Sequence, residues 1–271
     1  MKHLLLAIQF LTIIPVKVKG DVTEKDMVSS AIFFPVAGAC QGLVMVVAAV
    51  LSIKLFSPEV VCGLVVLAHV ISNSGFDLDG LADTFDALSV KSSGDAAADI
   101  KKRLAVMKES TVGASGAIAI TITLLLKFLL VWSLIRILPT GLFFSTIFAM
   151  AVFSKWVTLP AMLHGVSARS DGLGRIFTDN ITTGHVLFSS VILFAMGFIS
   201  YGISSKFGQL AGHAAMLVVL SLFLYGFSIL AVRFFSSRFG GITGDNFGAM
   251  SEISEILFLM GTYIWSRHYI S

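Results

Sequence analysis

Residues 113–135 read GASGAIAITITLLLKFLLVWSLI, an apolar stretch in which Lys127 is the one charged residue. About 20 consecutive apolar residues are enough to cross the hydrocarbon core of a bilayer as a helix, so this stretch predicts a transmembrane helix. Comparable runs lie at 30–53, 58–74, 141–163, 186–204, 209–232 and 248–266, and residues 4–15 form a shorter one. The run at 58–74 is short, and we expect it to extend into the residues that follow. The pattern predicts an all-α fold with one domain over residues 1–271, a polytopic membrane bundle of seven or eight helices.

The composition excludes a water-soluble globule. Hydrophobic residues make up 56% of the chain and charged residues 13%, whereas charged residues make up about 25% of a typical soluble domain. The net charge of +3 is small, and no basic stretch is interleaved with aromatic residues. We therefore expect the lipid bilayer as a partner, and we do not expect nucleic acid as one.

Basic residues are divided unevenly between the two ends of the predicted bundle. The N-terminus and the loops 75–112, 164–185 and 233–247 fall on one side and hold most of them, whereas the other side holds only Lys54, Arg136, Lys206 and Arg267. By the positive-inside rule the first side is cytoplasmic, which predicts a cell inner-membrane protein whose working surface faces the cytoplasm. Lys127 and Lys155 fall within spans, where ionisable residues are candidates for function. Snorkelling of their long side chains toward a membrane surface is the alternative, and it is the one we expect.

The segment 77–86, DLDGLADTFD, carries a first acidic cluster. Asp79, Asp83 and Asp86 are spaced i, i+4 and i+7, so on a helix their carboxylates lie on one face and repel one another. A divalent cation would offset this repulsion, and Mg²⁺ takes oxygen ligands, usually one or two carboxylates together with substrate phosphates. The pattern predicts a magnesium site, with a solvated acidic helix end as the alternative. Gly80 permits the close approach of a ligand or of another backbone.

The segment 241–255, GITGDNFGAMSEISE, carries a second acidic cluster. Asp245 and Glu252 are spaced i and i+7, and Gly248 lies between them on the same face, which leaves a shallow trough. Such a trough suits a metal-bound phosphate or a tightly packed helix. Gly244 would start a helix with free backbone N–H groups, which attract anions. A helix end whose acids favour the macrodipole is the alternative.

Two basic residues are candidate phosphate contacts. Lys108 lies in MKESTVGASG, residues 107–116, where anionic lipid headgroups are the alternative partner. Arg169 opens the turn RSDGLG, residues 169–174, which either cradles a phosphate or is a plain loop. Carboxylates and basic residues gathered at one face are typical of phosphoryl transfer, in which metal ions neutralise the developing charge. The membrane location indicates a large or amphiphilic substrate.

These same residues resemble the cobalamin synthase family, the adenosylcobinamide-GDP ribazoletransferases. That family carries patterns like HLDGLADTxDG, MKDxRxGAxG and GxTGDxxGAxxE, which are similar to residues 77–87, 107–116 and 241–252. The opening FLTIIP at 10–15 and FFP at 33–35 also look like the family's N-terminus. The resemblance implies a magnesium-dependent transferase that joins adenosylcobinamide-GDP to α-ribazole or its 5′-phosphate. GMP leaves, and this is the last assembly step of cobalamin biosynthesis.

The residues and the resemblance together give a candidate site. The predicted magnesium ligands are Asp79, Asp83, Asp86 and Asp245, and the predicted catalytic acids are these four with Glu252. The predicted substrate-binding residues are Lys108, Arg169, Asp77, Gly80, Gly244 and Gly248.

Some positions depart from the family pattern. Asp77 stands where the family often has His, which leaves any acid–base role of that His without a counterpart. Glu109 and Thr111 replace the common Asp and Arg, so an arginine contact to phosphate has to come from elsewhere, with Arg103 and Arg169 as candidates. The implied mechanism is attack by a ribazole hydroxyl on the cobinamide-side phosphorus, and nothing in the sequence selects the proton acceptor.

Two other classes of protein share parts of this pattern. A CDP-alcohol phosphotransferase-like lipid enzyme also uses aspartates on membrane helices, but its motif has Arg where this chain has Asp83. A cation or metabolite transporter would hold its acids near the midplane of the membrane, whereas the pattern here places them at the edge. The sequence leaves open whether copies of the chain associate with one another or with other corrinoid-pathway enzymes.

Overall fold

A computed structural model describes residues 1–205 and 207–269, so the expected outer position of Lys206 lies outside the described residues. The described chain is helical and contains no strand, which confirms the all-α prediction. Its α-helices are α1 Lys2–Leu11, α2 Glu24–Ser30, α3 Phe34–Ser52, α4 Pro58–Ser72, α5 Phe76–Leu88, α6 Ala96–Val106, α7 Ala114–Ile137, α8 Thr140–Trp156, α9 Thr158–His164, α10 Leu173–Asn180, α11 Thr183–Ser204, α12 Leu210–Phe239 and α13 Gly244–Tyr269.

Several of these helices are long and apolar enough to cross a membrane. Five segments qualify by length and composition: Glu24–Ser52, Ala114–Ile137, Thr140–His164, Thr183–Ser204 and Leu210–Phe239. The pair α4 and α5 qualifies as a sixth only if the two helices count as one span, since they meet at an angle of 85°. The multi-pass prediction is therefore confirmed, but the count of seven or eight spans is not. The expected last span, 248–266, lies within α13, which is not among these apolar segments.

Small residues allow the central helices to pack closely. The span formed by α8 and α9 is the most enclosed, with 89% of its apolar stretch buried. Gly38 and Gly42 of α3 lie one turn apart and face the backbone of α8 at Ala151 and Phe148. A Cβ at Gly42 would lie 2.8 Å from the Phe148 carbonyl oxygen, so a side chain there would push the helices apart. Such close backbone approach at glycine is typical of helix packing in membranes.

The loops predicted to share one side of the bundle do meet at one end. The segments 164–185 and 233–247 are joined by a β-bridge between Ser167 and Ile242. Arg103 of α6 donates to the backbone carbonyl of Arg238 at 3.1 Å. The N-terminal helix joins the same end, since the rings of Phe10 and Phe177 lie 6.0 Å apart. This end carries the candidate site.

Candidate active site

The bend between α4 and α5 positions the first acidic cluster. Ser74 and Gly75 both have positive φ, 58° and 73°, a conformation that suits glycine and turns the chain sharply. Asn73 anchors the bend, because its side chain accepts the Gly75 N–H at 3.0 Å and donates to the Asp77 carboxylate at 2.8 Å. After the bend, α5 runs across the end of the bundle as one continuous helix. The spacing expected of the acids on α5 is therefore present.

The start of α13 brings the second acidic cluster against the first. Gly80 of α5 packs on the α13 backbone, and a Cβ at Gly80 would lie 2.7 Å from the carbonyl oxygen of Asp245. A Cβ at Gly248 would in turn lie 3.0 Å from the carbonyl oxygen of Asp77. Both glycines thus serve helix packing, one of the two uses that the sequence allowed.

The acids of the two segments form one electrostatic group at this crossing. Asp83 is half-buried, Asp79 is exposed, and Asp83 lies within electrostatic range of Asp79, Asp86, Asp245 and Arg169. Arg169 is the one cation among these partners, and its Nη2 lies 3.3 Å from the Asp245 carboxylate. Negative charge therefore exceeds positive charge in this group, and its acids are able to accept a cation.

Asp86 differs from the other acids on its face because both of its oxygens are already engaged. They accept the backbone N–H groups of Gly113 at 2.6 Å and Gly116 at 2.8 Å. These donors lie at the N-terminus of α7, where N–H groups lack helical partners and the dipole favours negative charge. Asp86 thus caps a membrane helix, and its predicted roles in metal binding and catalysis compete with that structural role.

A small cavity of about 250 Å³ opens beside Asp245. Its charged wall includes Arg169, Asp171, Arg175, Asp77, Lys155 and Asp245, together with Gly244 and Gly248, and its apolar wall includes Phe10, Leu11, Phe34, Met162, Phe177 and Phe247. Burial raises the pKa of Asp245, and the neighbouring Arg169 guanidinium opposes that shift. The predicted residues Arg169, Asp77, Gly244 and Gly248 all line this cavity.

A larger cavity lies on the other side of Phe76. It has a volume of about 790 Å³ and includes Asp79, Asn73 and Gly75 in its wall. Phe10, Leu11 and Phe76 belong to the walls of both cavities. Of the three acids Asp79, Asp83 and Asp86, Asp79 lines the larger cavity, and the other two line neither cavity.

The remaining basic candidates lie apart from the small cavity. Lys108 is exposed and follows Met107, whose sulfur accepts from the Thr243 hydroxyl at 3.8 Å. It is near the start of α13 but does not line the small cavity. Arg103 is buried against α12. Of the two arginines considered as phosphate contacts, only Arg169 reaches the acidic group.

A buried charge network fills the bundle below the site. We use this name for His69, Asp77, Lys127, Lys155, Glu252 and Glu255, all of which are buried. Lys127 of α7 lies 2.5 Å from both Glu252 and Glu255, and His69 of α4 lies 3.4 Å from Glu255. Lys155 of α8 pairs with Asp77 and donates to the Ser251 hydroxyl at 3.0 Å.

This network overturns the expectation that the two intramembrane lysines snorkel. Each lysine is only 2% exposed and ends on a carboxylate. The network also encloses Glu252, which was predicted to act beside Asp245 but instead faces Lys127 inside the bundle and lines neither cavity. The two lysines within apolar spans were a signal for this network in the sequence. Ionisable side chains inside a membrane are usually paired and functional.

The residues that carry the family resemblance are the ones that form the candidate site at this end of the bundle. Residues 3–263 match the cobalamin-5-phosphate synthase family. The chain belongs to that family. An adenosylcobinamide-GDP ribazoletransferase from Thermodesulfovibrio yellowstonii is 36% identical over 96% of this chain and 97% of its own length. Others, from Fusobacterium nucleatum and Desulfitobacterium hafniense, are 32% and 31% identical, again over 96% or more of both chains. No solved structure matches.

Membership of the cobalamin-5-phosphate synthase family settles the class of the protein. It is an enzyme of the transferase class and acts in cobalamin biosynthesis. The match runs nearly from end to end, so it covers both acidic clusters and the network beneath them.

Proposed function

We propose that this enzyme joins adenosylcobinamide-GDP to α-ribazole or its 5′-phosphate and releases GMP. The observation that carries the proposal is the convergence of Asp79 and Asp83 on α5 with Asp245 on α13, beside Arg169. The relatives named for this transfer support the choice of substrates. By the positive-inside rule, we place this end of the bundle at the cytoplasmic face of the cell inner membrane.

The donor set at the crossing suits a magnesium ion. Magnesium prefers carboxylate and phosphate oxygens and keeps several waters, and the acids here outnumber the one neighbouring arginine. Asp79, Asp83 and Asp245 would hold the ion, whereas the oxygens of Asp86 already accept two backbone N–H groups. When bound, the ion would neutralise charge on the diphosphate of the activated corrinoid.

The protein's own residues would orient the transfer. A hydroxyl of α-ribazole attacks the cobinamide-side phosphorus, an O–P bond forms, and the bond from that phosphorus to the bridging oxygen of GMP breaks. The hydroxyl proton passes to a base, and GMP leaves with the bridging oxygen. Arg169 is placed to bind phosphate oxygens, because its guanidinium lies at the cavity wall next to Asp245. Such positioning supplies most of the catalysis in phosphoryl transfer.

The test is GMP release and corrinoid product formation by purified protein, with and without Mg²⁺. Asp83→Asn and Asp245→Asn should each lower turnover by about a hundredfold or more, the scale of removing one electrostatic contact to a transition state. Glu59→Gln, at the start of α4, is the matched control and should keep wild-type turnover. Near-normal product formation by both aspartate variants would remove the acids from the chemistry. Substrate uptake into proteoliposomes without GMP release would favour a transporter.

A further inference from the structure

Phe76, the first residue of α5, presents an open aromatic ring at the candidate site. It is 49% exposed, although it lies in the wall of both cavities. Phe10 packs against it edge to face, with ring centroids 5.9 Å apart and ring planes at 67°. Phe34 and Phe177, which also line the small cavity, are each 2% exposed and have no free face. Phe76 can therefore offer a ligand a ring surface that these buried aromatic residues cannot.

The bend before α5 positions this ring beside the predicted magnesium ligands. The Phe76 N–H donates to the Asn73 carbonyl at 3.1 Å, and Gly75 between them has the positive φ that the bend needs. The next residue, Asp77, is held by the Asn73 amide at 2.8 Å. Residues three apart on a helix are neighbours on its surface, so the ring lies next to Asp79, and both residues line the larger cavity. A ligand that packs on this ring can therefore reach the acidic group with its other end.

The surroundings of the ring indicate what kind of ligand would cover it. Polar groups stand beside it in both cavities, with Asp79 and Ser74 in the larger one and Arg169 and Asp245 in the smaller one. A half-exposed ring at such a boundary suits a ligand with an aromatic group at one end and a ribose or phosphate at the other. Every nucleobase has a π-face that stacks on aromatic side chains. Both proposed substrates contain such a group, in the guanosine of the activated corrinoid and in α-ribazole.

We infer that Phe76 is a substrate-binding residue whose ring stacks on the aromatic base of a nucleoside held beside the magnesium ligands. The inference rests on the proposed function and adds a substrate contact that the sequence motifs did not predict. Guanine and dimethylbenzimidazole both present a flat aromatic face, so the ring chemistry is shared, and the experiment identifies which substrate supplies the base. A base on this ring keeps its ribose and phosphate at the crossing of α5 and α13.

Equilibrium dialysis of GMP and of α-ribazole, each alone and with Mg²⁺, tests this contact without turnover. Phe76→Leu should raise the Kd of at least one of the two ligands about tenfold, the scale of one lost base–aromatic stack. Phe76→Tyr keeps the ring and should bind both ligands as wild type does. Phe85→Leu is the matched control, because Phe85 is 38% exposed, lines neither cavity and lies about two and a half turns further along α5, on its opposite face. It should leave both Kd values unchanged.

The ligand that responds identifies the source of the base. A raised Kd for GMP assigns the stack to the activated corrinoid, and a raised Kd for α-ribazole assigns it to the attacking nucleoside. The KM values for adenosylcobinamide-GDP and α-ribazole give the same comparison if a free ligand binds too weakly for dialysis.

Two results would overturn the inference. Unchanged Kd and KM values for both ligands in Phe76→Leu would show that no base contacts the ring, as expected if lipid acyl chains cover it. Equal weakening in Phe76→Leu and Phe76→Tyr would show that the ligand does not depend on the ring. If wild type bound a ligand through Phe76 but formed no corrinoid product, the proposed reaction would fail while the stacking contact stood.

Discussion

Replacing Lys127 by Met tests whether the buried charge network holds the bundle together. The ammonium of Lys127 lies 2.5 Å from carboxylates of both Glu252 and Glu255, and all three side chains are at most 2% exposed. Methionine has a similar length and no charge, so the variant keeps most of the packing and removes the one lysine that both glutamates share. Two carboxylates are then left in the interior without that partner.

The structure sets the scale of the loss. Removing one partner of a buried ion pair costs about 3–5 kcal/mol, because the other charge is left uncompensated. One kcal/mol shifts the unfolding midpoint by about 2–4 °C in a chain of somewhat smaller size, so the midpoint should fall by roughly 6–20 °C. The triple variant Lys127→Met, Glu252→Gln, Glu255→Gln removes the orphaned charges and should recover most of that fall.

Thermal unfolding of the detergent-solubilised protein measures both variants. Lys102→Met is the matched control, since Lys102 is exposed on α6, and it should leave the midpoint within about 2 °C of wild type, as surface changes usually stay within about 0.5 kcal/mol. A fall in Lys127→Met no larger than that of the control would refute the argument. A triple variant no more stable than the single one would show that lost packing, and not uncompensated charge, causes the effect.

Three further predictions concern the residues of the candidate site and the contacts that hold them. Asp86→Asn should lower the unfolding midpoint, because it weakens charge-assisted bonds worth about 1.5–3 kcal/mol each; an unchanged midpoint would argue against the capping role. Gly80→Ala should lower turnover at least about tenfold, since its Cβ would collide with the α13 backbone and misplace Asp245, whereas Gly63→Ala, with open space around it, should keep wild-type turnover. Turnover should fall as pH falls through the raised pKa of Asp245, and Arg169→Gln should move this acid limb of the pH–rate profile to higher pH, because the guanidinium that lowers this pKa is gone. A limb that stays in place or moves to lower pH would contradict this reading.

The parts of the fold that depend on local pattern were accessible from the sequence. The run at 113–135 is apolar on every face, and α7 occupies almost that range, Ala114–Ile137. The spacing of Asp79, Asp83 and Asp86 needs only helix geometry, and α5 supplies it. The short run at 58–74 was expected to extend into the residues that follow, but α4 ends at Ser72 and meets α5 at an angle of 85°.

The parts that depend on partners distant in sequence were not accessible. Lys127 meets Glu252 across 125 positions and Lys155 meets Asp77 across 78, and no local pattern reports such pairs. A lysine near a span end looks the same in sequence whether it snorkels or is paired, so the snorkelling prediction was wrong for both. Asp86 was grouped with its neighbours by spacing, but its donors come from the next membrane helix, which only the fold brings near.

Two groups of acidic residues on α13, one in the interior and one at the end of the helix, explain why the candidate site lies at this end of the bundle. In the interior, Glu252 and Glu255 share Lys127, because a charge without any partner there would be strongly unfavourable. At the end of the same helix, Asp245 joins Asp79 and Asp83 and pairs with Arg169. This outer group carries more negative than positive charge, which is why we propose it as the magnesium site. The ion pairs in the interior hold α13 in place, and the position of α13 in turn sets where Asp245 meets the acids of α5.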